Sequence, residues 1–234
     1  MVISLNSFLD TNVLIGYIFS CDSLFKHSKE YIFKSKSNYY SQHVKTEMKK
    51  IYSRKNLEFE DFFLKLYFEI EQYDDMYFLS KSKIVKMIYG LDTIGKLNQR
   101  DMELSFDKIW EFFEFGENQE VMMIKLKFGD YISQFESLHN LRKNFIFKTL
   151  NLVPNHTKKD KSILDKIKKE NLRDELLHAY DEDILFDANE FCKNNKDLKL
   201  IFVSADLNFI KAIDILMEYL CFDDCVNLIE FSNN

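Results

Sequence analysis

The chain has 234 residues, of which 46% are hydrophobic and 30% charged, with a formal net charge of −6. That composition excludes a disordered chain and leaves room for one α/β core with an added helical part. The net acidity argues against a protein that coats nucleic acid by bulk electrostatics, and no run of about 18 apolar residues marks a membrane span.

The N-terminal stretch has no basic region ahead of an apolar one and reaches an aspartate early, so it is not expected to act as a signal peptide. The four cysteines, Cys21, Cys192, Cys221 and Cys225, fit no common zinc spacing and are expected as buried, reduced thiols in a cytoplasmic protein. Charge is uneven. Between Lys26 and Lys55 nine Lys or Arg stand against Glu30 and Glu47. A second basic run, KKDKSILDKIKKENLR, spans Lys158 to Arg173. Both runs read either as phosphate-facing surfaces or as solvated lysine-rich helix faces.

One proline, Pro154, and five glycines interrupt the chain, so long helices are expected over most of it. ISLNSFLD reads as a short strand ending in Asp-Thr-Asn, good capping chemistry for the VLIGYIF helix that follows. NYYS at Asn38–Ser41 reads as a second strand, followed by a helix through His43, Glu47 and Ile51. Phe59, Phe62, Phe63, Leu66, Tyr67 and Ile70 repeat at helical spacing and predict an amphipathic helix. Similar rows at Ile84, Ile88 and Leu91, at Phe106, Ile109, Trp110 and Phe113, and at Tyr131, Phe135, Leu138 and Phe145 make residues 57–152 a set of packed helices without strand signal. After Pro154 come a helix near Leu172–Ala179, the DEDILFDANEFC helix, a buried strand LKLIFVS, the helix DLNFIKAIDILMEYL and a last strand VNLIEF. Strands at both ends with helices between them predict an α/β fold with a doubly wound parallel sheet and a helical insertion.

Carboxylates fall where such a sheet gathers ligands, at the carboxyl ends of strands. Asp10 ends the first strand, Glu47 lies in the helix after the second, Asp183 opens the helix before LKLIFVS, and Asp206 follows that strand. Each has a plain structural role open to it: helix N-cap for Asp10 and Asp206, surface glutamate for Glu47, first-turn acid for Asp183. Together they would repel one another unless a divalent cation joined them, and oxygen ligands suit hard Mg²⁺ or Mn²⁺. No pair of histidines stands at ligand spacing, and no local motif suggests a Ser–His or Cys–His pair. A haloacid-dehalogenase phosphatase would need a second Asp where Asn12 stands. A Gly-rich phosphate loop is absent.

FLDTNVLI (Phe8–Ile15), VKTEM (Val44–Met48), DEDILFDANEF (Asp181–Phe191) and IFVSADLNF (Ile201–Phe209) resemble, in order, the four motifs of the PIN domain. The resemblance covers about the first 55 and last 60 residues. It implies a three-layer α/β/α nuclease core over residues 1–56 and 172–234, with residues 57–171 as a helical insertion or lid. By the same resemblance Asp10, Glu47, Asp183 and Asp206 would be catalytic metal ligands for Mg²⁺ or Mn²⁺. Asn12 and Ser204 would orient Asp10 or a bound water, and Asn208 would support Asp206. By helical spacing Asp187, one turn beyond Asp183, would share the site. Asp181, Asp183 and Asp187 all offer a third carboxylate, with Asp183 chosen by its register before Ile184. Glu58 or Glu71 would replace Glu47 if the register shifts.

The implied activity is metal-dependent hydrolysis of single-stranded RNA, with DNA as a second substrate, in a cytoplasmic endoribonuclease leaving 5′-phosphate and 3′-hydroxyl ends. A toxin or defence role with an antitoxin, and a homodimer, follow from the family alone. The competing expectation is a PIN-like scaffold without catalysis that binds RNA or protein.

Overall fold

A computed structural model describes residues 3–92, 97 and 99–231 of the chain; Met1 and Val2 of the N-terminal reading lie outside them. In chain order the elements are β1 (Ile3–Leu9), α1 (Thr11–Ile18), α2 (Phe25–Lys34), β2 (Ser35–Ser41), α3 (Gln42–Glu71), β3 (Phe78–Ser80), α4 (Lys81–Ile88), α5 (Gln99–Phe112), β4 (Asn118–Glu120) and α6 (Val121–Thr149). They continue with β5 (Asn151–Val153), α7 (Lys161–Lys169), α8 (Leu172–Glu175), α9 (Ala179–Asn194), β6 (Leu200–Ser204), α10 (Leu207–Leu216), β7 (Asp224–Asn227) and α11 (Leu228–Phe231). No described helix is long and apolar enough to cross a membrane.

The chain divides into two compact units. The first holds residues 1–18, 24–50 and 143–234. Its five strands form one sheet in the order β5-β2-β1-β6-β7, every pairing parallel, with helices flanking it in a three-layer α/β/α arrangement. Parallel strands are covered on both faces and therefore read as apolar runs, which is why LIFVS is buried throughout. Phe8 of β1 lies beside Phe202 of β6, and their rings stack at 5.9 Å. Phe209 of α10 meets the same Phe202 ring edge-on at 5.1 Å. All three are fully buried, a contribution of about 1.5–3 kcal/mol each. From β1 the chain moves outward to β2 and β5, then returns to β1's other side for β6 and β7. The carboxyl end of β1 is thus a topological switch point, where open α/β sheets keep their ligand crevice.

The second unit holds residues 19–23 and 51–142. The predicted apolar stripe is its core: Phe59, Phe62, Phe63, Leu66 and Ile70 are all buried. In α6 the buried position after Phe135 is His139 rather than Leu138.

Three expectations need correction. Residues 57–152 contain strands: β3 and β4 pair as an antiparallel ribbon, and β5 adds an edge to the main sheet through β2. Each is three residues long, too short to show a period of two. Residues 143–171, read as insertion, accordingly belong with the sheet. VNLIEF is also not one strand. β7 ends at Asn227, whose side chain accepts the Ile229 N–H at 3.0 Å and so turns the chain into α11.

A candidate acidic site at the switch point

Asp10 begins this site, one residue beyond β1. Its backbone N–H still donates to the Val203 carbonyl at 3.0 Å, so the last rung of the sheet fixes its position. The side chain is buried at 4% exposure. Its Oδ1 accepts the Thr11 N–H at 2.6 Å. Its Oδ2 accepts from Asn12 Nδ2 at 2.6 Å and from Ser204 Oγ at 2.7 Å. Asn12 Nδ2 also reaches Ser204 Oγ at 3.0 Å, and Asn12 Oδ1 takes the Ala205 N–H at 2.9 Å. Asn12 and Ser204 therefore tie the end of β1 to the end of β6 and hold one carboxylate between them. All these donors are neutral. Burial pushes the Asp10 carboxyl up from 3.8 to about 7; the Ser204 and Thr11 hydrogen bonds oppose the rise, while Asp181 and Glu47 add to it.

Glu47 lies in the second turn of α3. Its Oε2 accepts from Thr11 Oγ1 at 2.5 Å, so Thr11 touches Asp10 with its backbone and Glu47 with its side chain. Sequence reasoning quoted Asp-Thr-Asn but gave the threonine no role. Neither alternative glutamate is needed: Glu58 sits beside Arg54 at 3.9 Å, and Glu71 is exposed at the end of α3.

The α9 acid that shares the field of Asp10 is Asp181, not Asp183. Burial raises the Asp181 carboxyl from 3.8 to about 6, opposed by the His178 N–H, with Glu47 and Asp206 among the charges that push it up. It thus feels the same field as Asp10. Asp183 instead pairs with Lys159 Nζ at 2.7 Å. The reason is helical: residues two apart point roughly 200° away from each other, so only one of the two can face the crevice. Asp187 lies on the stripe of Asp183 and is fully engaged elsewhere, accepting from His43 Nδ1 at 2.8 Å and His156 Nδ1 at 2.7 Å.

Asp206 caps α10 as expected, its Oδ1 accepting the N–H groups of Asn208 at 2.8 Å and Phe209 at 3.2 Å. Asn208 thus supports Asp206 through its backbone alone among the described contacts, a service any residue but proline would perform.

Four acids from four elements therefore share one field at the switch point, and among the described residues no lysine or arginine pairs with any of them. Oε1 of Glu47, Oδ1 of Asp181 and Oδ2 of Asp206 have no described partner, and Asp10 Oδ1 has one. The acids are not drawn as tightly as the group His43, His156 and Asp187, whose donor atoms all lie within 4.8 Å of one another.

The basic runs are less free than their sequence implies. Lys159 and Arg173 both bind the buried Glu182, at 2.9 and 2.7 Å, and Lys166 pairs with Glu170 at 3.1 Å. Lys55 pairs with Asp22 at 2.5 Å. Lys50, one turn beyond Glu47 on α3, holds the Tyr180 hydroxyl, beside Asp181 in sequence. All four cysteines are free thiols.

Searched against protein-family models, curated proteins and solved structures, the chain matches none of them.

Proposed function

We propose that the protein is a divalent-metal-dependent nuclease that hydrolyses phosphodiester bonds of single-stranded RNA. One observation carries this reading: Asp10, Glu47, Asp181 and Asp206 converge at the switch point of a parallel sheet, and among the described residues no basic side chain neutralises them. Asp10 is buried, Glu47 and Asp181 are half-buried and Asp206 is exposed; neighbouring acids resist ionisation together, and a divalent cation removes that cost. The spare carboxylate oxygens fit oxygen-preferring Mg²⁺ or Mn²⁺. Such an ion, when bound, supplies Lewis acidity toward a phosphoryl oxygen and an acidified water.

The chain's own residues supply the rest. Asn12, Ser204 and the Thr11 N–H hold Asp10 in one orientation, and Thr11 Oγ1 does the same for Glu47. Asp206 is fixed by the first turn of α10. Preorganised carboxylates of this kind add no reorganisation cost when charge develops on the substrate. Lys50, which holds the Tyr180 hydroxyl one residue before Asp181 in sequence, would contact a neighbouring phosphate. The four motif segments that resemble PIN domains contribute every one of these acids. The same resemblance supports the RNA preference and, through it, a toxin or defence role with a protein antitoxin.

A second reading, a PIN-like scaffold without catalysis that binds RNA or protein, is favoured by the wide spacing of the acids. Cleavage of end-labelled single-stranded RNA and DNA with Mn²⁺ or with EDTA separates the two. The nuclease reading expects metal-dependent cleavage that Asp10→Asn abolishes. Absence of cleavage together with absence of Mn²⁺ binding supports the scaffold.

A further inference from the structure

We infer that His43, His156 and Asp187 form a second metal centre, separate from the four acids and selective for a borderline transition-metal ion such as Zn²⁺. The three residues lie far apart in sequence and on three different parts of the sheet unit. His43 is in the first turn of α3, His156 lies in the loop after β5, and Asp187 is in the middle of α9. The fold brings their donor atoms within 4.8 Å of one another.

The Asp187 side chain has no solvent exposure. Its described partners are the two imidazoles and the His156 backbone N–H at 2.7 Å; no lysine or arginine pairs with it among the described residues. A buried carboxylate with no lysine or arginine beside it is costly, and a divalent cation offsets that cost. Two imidazoles with one carboxylate suit zinc, cobalt, nickel or copper, whereas magnesium prefers all-oxygen sites. Two histidines and one acid leave a fourth tetrahedral position for water, as zinc sites with an open position do.

The geometry is that of a closed, proton-bridged set. Each Nδ1 now meets a carboxylate oxygen at 2.7 or 2.8 Å. Zinc bonds of about 2.0–2.1 Å in a tetrahedron set donors roughly 3.3 Å apart, so the ligands must part by about half an ångström. The proton on each Nδ1 moves to Nε2 through solvent, which frees the Nδ1 lone pair for the metal without changing the charge of the ring. On His156 that places an N–H toward Asp183 Oδ1, now 4.0 Å away, the carboxylate–histidine–metal arrangement that orients such ligands. On His43 it requires the Asn155 amide, now 3.3 Å from Nε2, to turn away. A cavity of about 200 Å³ lined by His156, Asp187 and Glu190 borders the cluster.

The centre would join three segments at one point. His43 precedes Glu47 by four residues on α3, and Asp187 follows Asp181 by six on α9. A bound ion therefore clamps the two helices that carry half of the acidic site.

The test uses the full untagged chain, stripped with a chelator and titrated with Co²⁺ and then Zn²⁺, in wild type and in an Asp10→Asn background that weakens the acidic site. We expect one equivalent of metal per chain at a tetrahedral site, read from visible Co²⁺ bands of nitrogen–oxygen coordination, and their loss when Zn²⁺ displaces Co²⁺. Asp10→Asn should leave them in place. His43→Ala and His156→Ala, checked by circular dichroism to be folded, should each lower affinity by more than the roughly 10–100-fold that a supporting partner is worth. Tetrahedral bands that persist unchanged in both folded histidine variants would overturn the assignment. So would a folded wild-type protein that gives no such bands, whatever the variants do; that result identifies the cluster as a hydrogen-bonded clamp alone.

Discussion

In the absence of metal, replacing Asp10 by asparagine should make the protein more stable at pH 8 and leave it no more stable at pH 4. The carboxyl is buried, and its pKa in the fold is about 7 against 3.8 in the ordinary state. Between those values the native state holds a proton that the unfolded state has lost, so stability falls as pH rises through that window and levels off above about 7. At roughly 1.4 kcal/mol per pH unit, keeping Asp10 ionised costs on the order of 4 kcal/mol at pH 8. The amide that Asp10→Asn introduces removes that cost and can still accept the Thr11 N–H. It loses about one hydrogen bond, because its own N–H₂ group would face Asn12 Nδ2, and that is worth about 1 kcal/mol. A net gain of about 2–3 kcal/mol shifts Tm up by roughly 4–12 °C in a chain of this size. Thermal unfolding followed by circular dichroism in EDTA at pH 4 and pH 8 measures it. Equal effects at the two pH values, or destabilisation at pH 8, would refute the idea that burial of an uncompensated charge dominates this site. Mn²⁺ at pH 8 should then raise the Tm of wild type by more than that of Asp10→Asn.

Thr11→Val should leave the fold intact but weaken Mn²⁺ binding about 10–100-fold, as loss of a ligand's supporting partner does; isothermal titration calorimetry on the untagged protein reads it. His139 is buried between Phe19 and Phe135 at 4.6 and 4.1 Å, and neither ring nitrogen has a described partner. Burial, with Arg142 nearby, lowers its pKa from 6.5 to about 3. The native state therefore refuses a proton that the unfolded state accepts, and stability is lost as pH falls from about 6.5 toward 3. His139→Leu should flatten that part of the stability profile in urea titrations from pH 7 to pH 4; an unchanged slope would contradict it. Gly16→Ala should cost about 1–3 kcal/mol in the same titrations, because an added Cβ would lie 2.6 Å from Ser28 Oγ and 2.7 Å from Leu24 Cβ.

Much of the sheet was legible because its strands carry strong local signals. LIFVS is apolar on both faces, and FLDTN couples an apolar strand end to capping residues, so β1, β6 and the acids that follow them could be placed from the sequence. Asn12 lies two residues from Asp10, and Ser204 reaches Asp10 because β1 and β6 pair side by side. The third acid was ambiguous for a physical reason. DED puts two carboxylates on nearly opposite sides of one helix, and only the angular position of α9 against the sheet decides which one faces Asp10. Asp187 was expected to share the acidic site because it lies one turn from Asp183, but that stripe of α9 faces His156 and Lys159. The histidine cluster left no local trace at all, because His43 and His156 meet only through the pairing of β5 with β2. That pairing was itself hidden, since a three-residue strand such as Asn151–Val153 carries no periodicity to read.

The most direct test of the acidic site compares Asp181→Asn with Asp183→Asn in Mn²⁺-dependent cleavage of labelled single-stranded RNA. Asp181→Asn should remove cleavage as completely as Asp10→Asn does, while Asp183→Asn, whose parent side chain is bound to Lys159, should retain most of it. Loss with Asp183→Asn and survival with Asp181→Asn would contradict the arrangement described for the four acids.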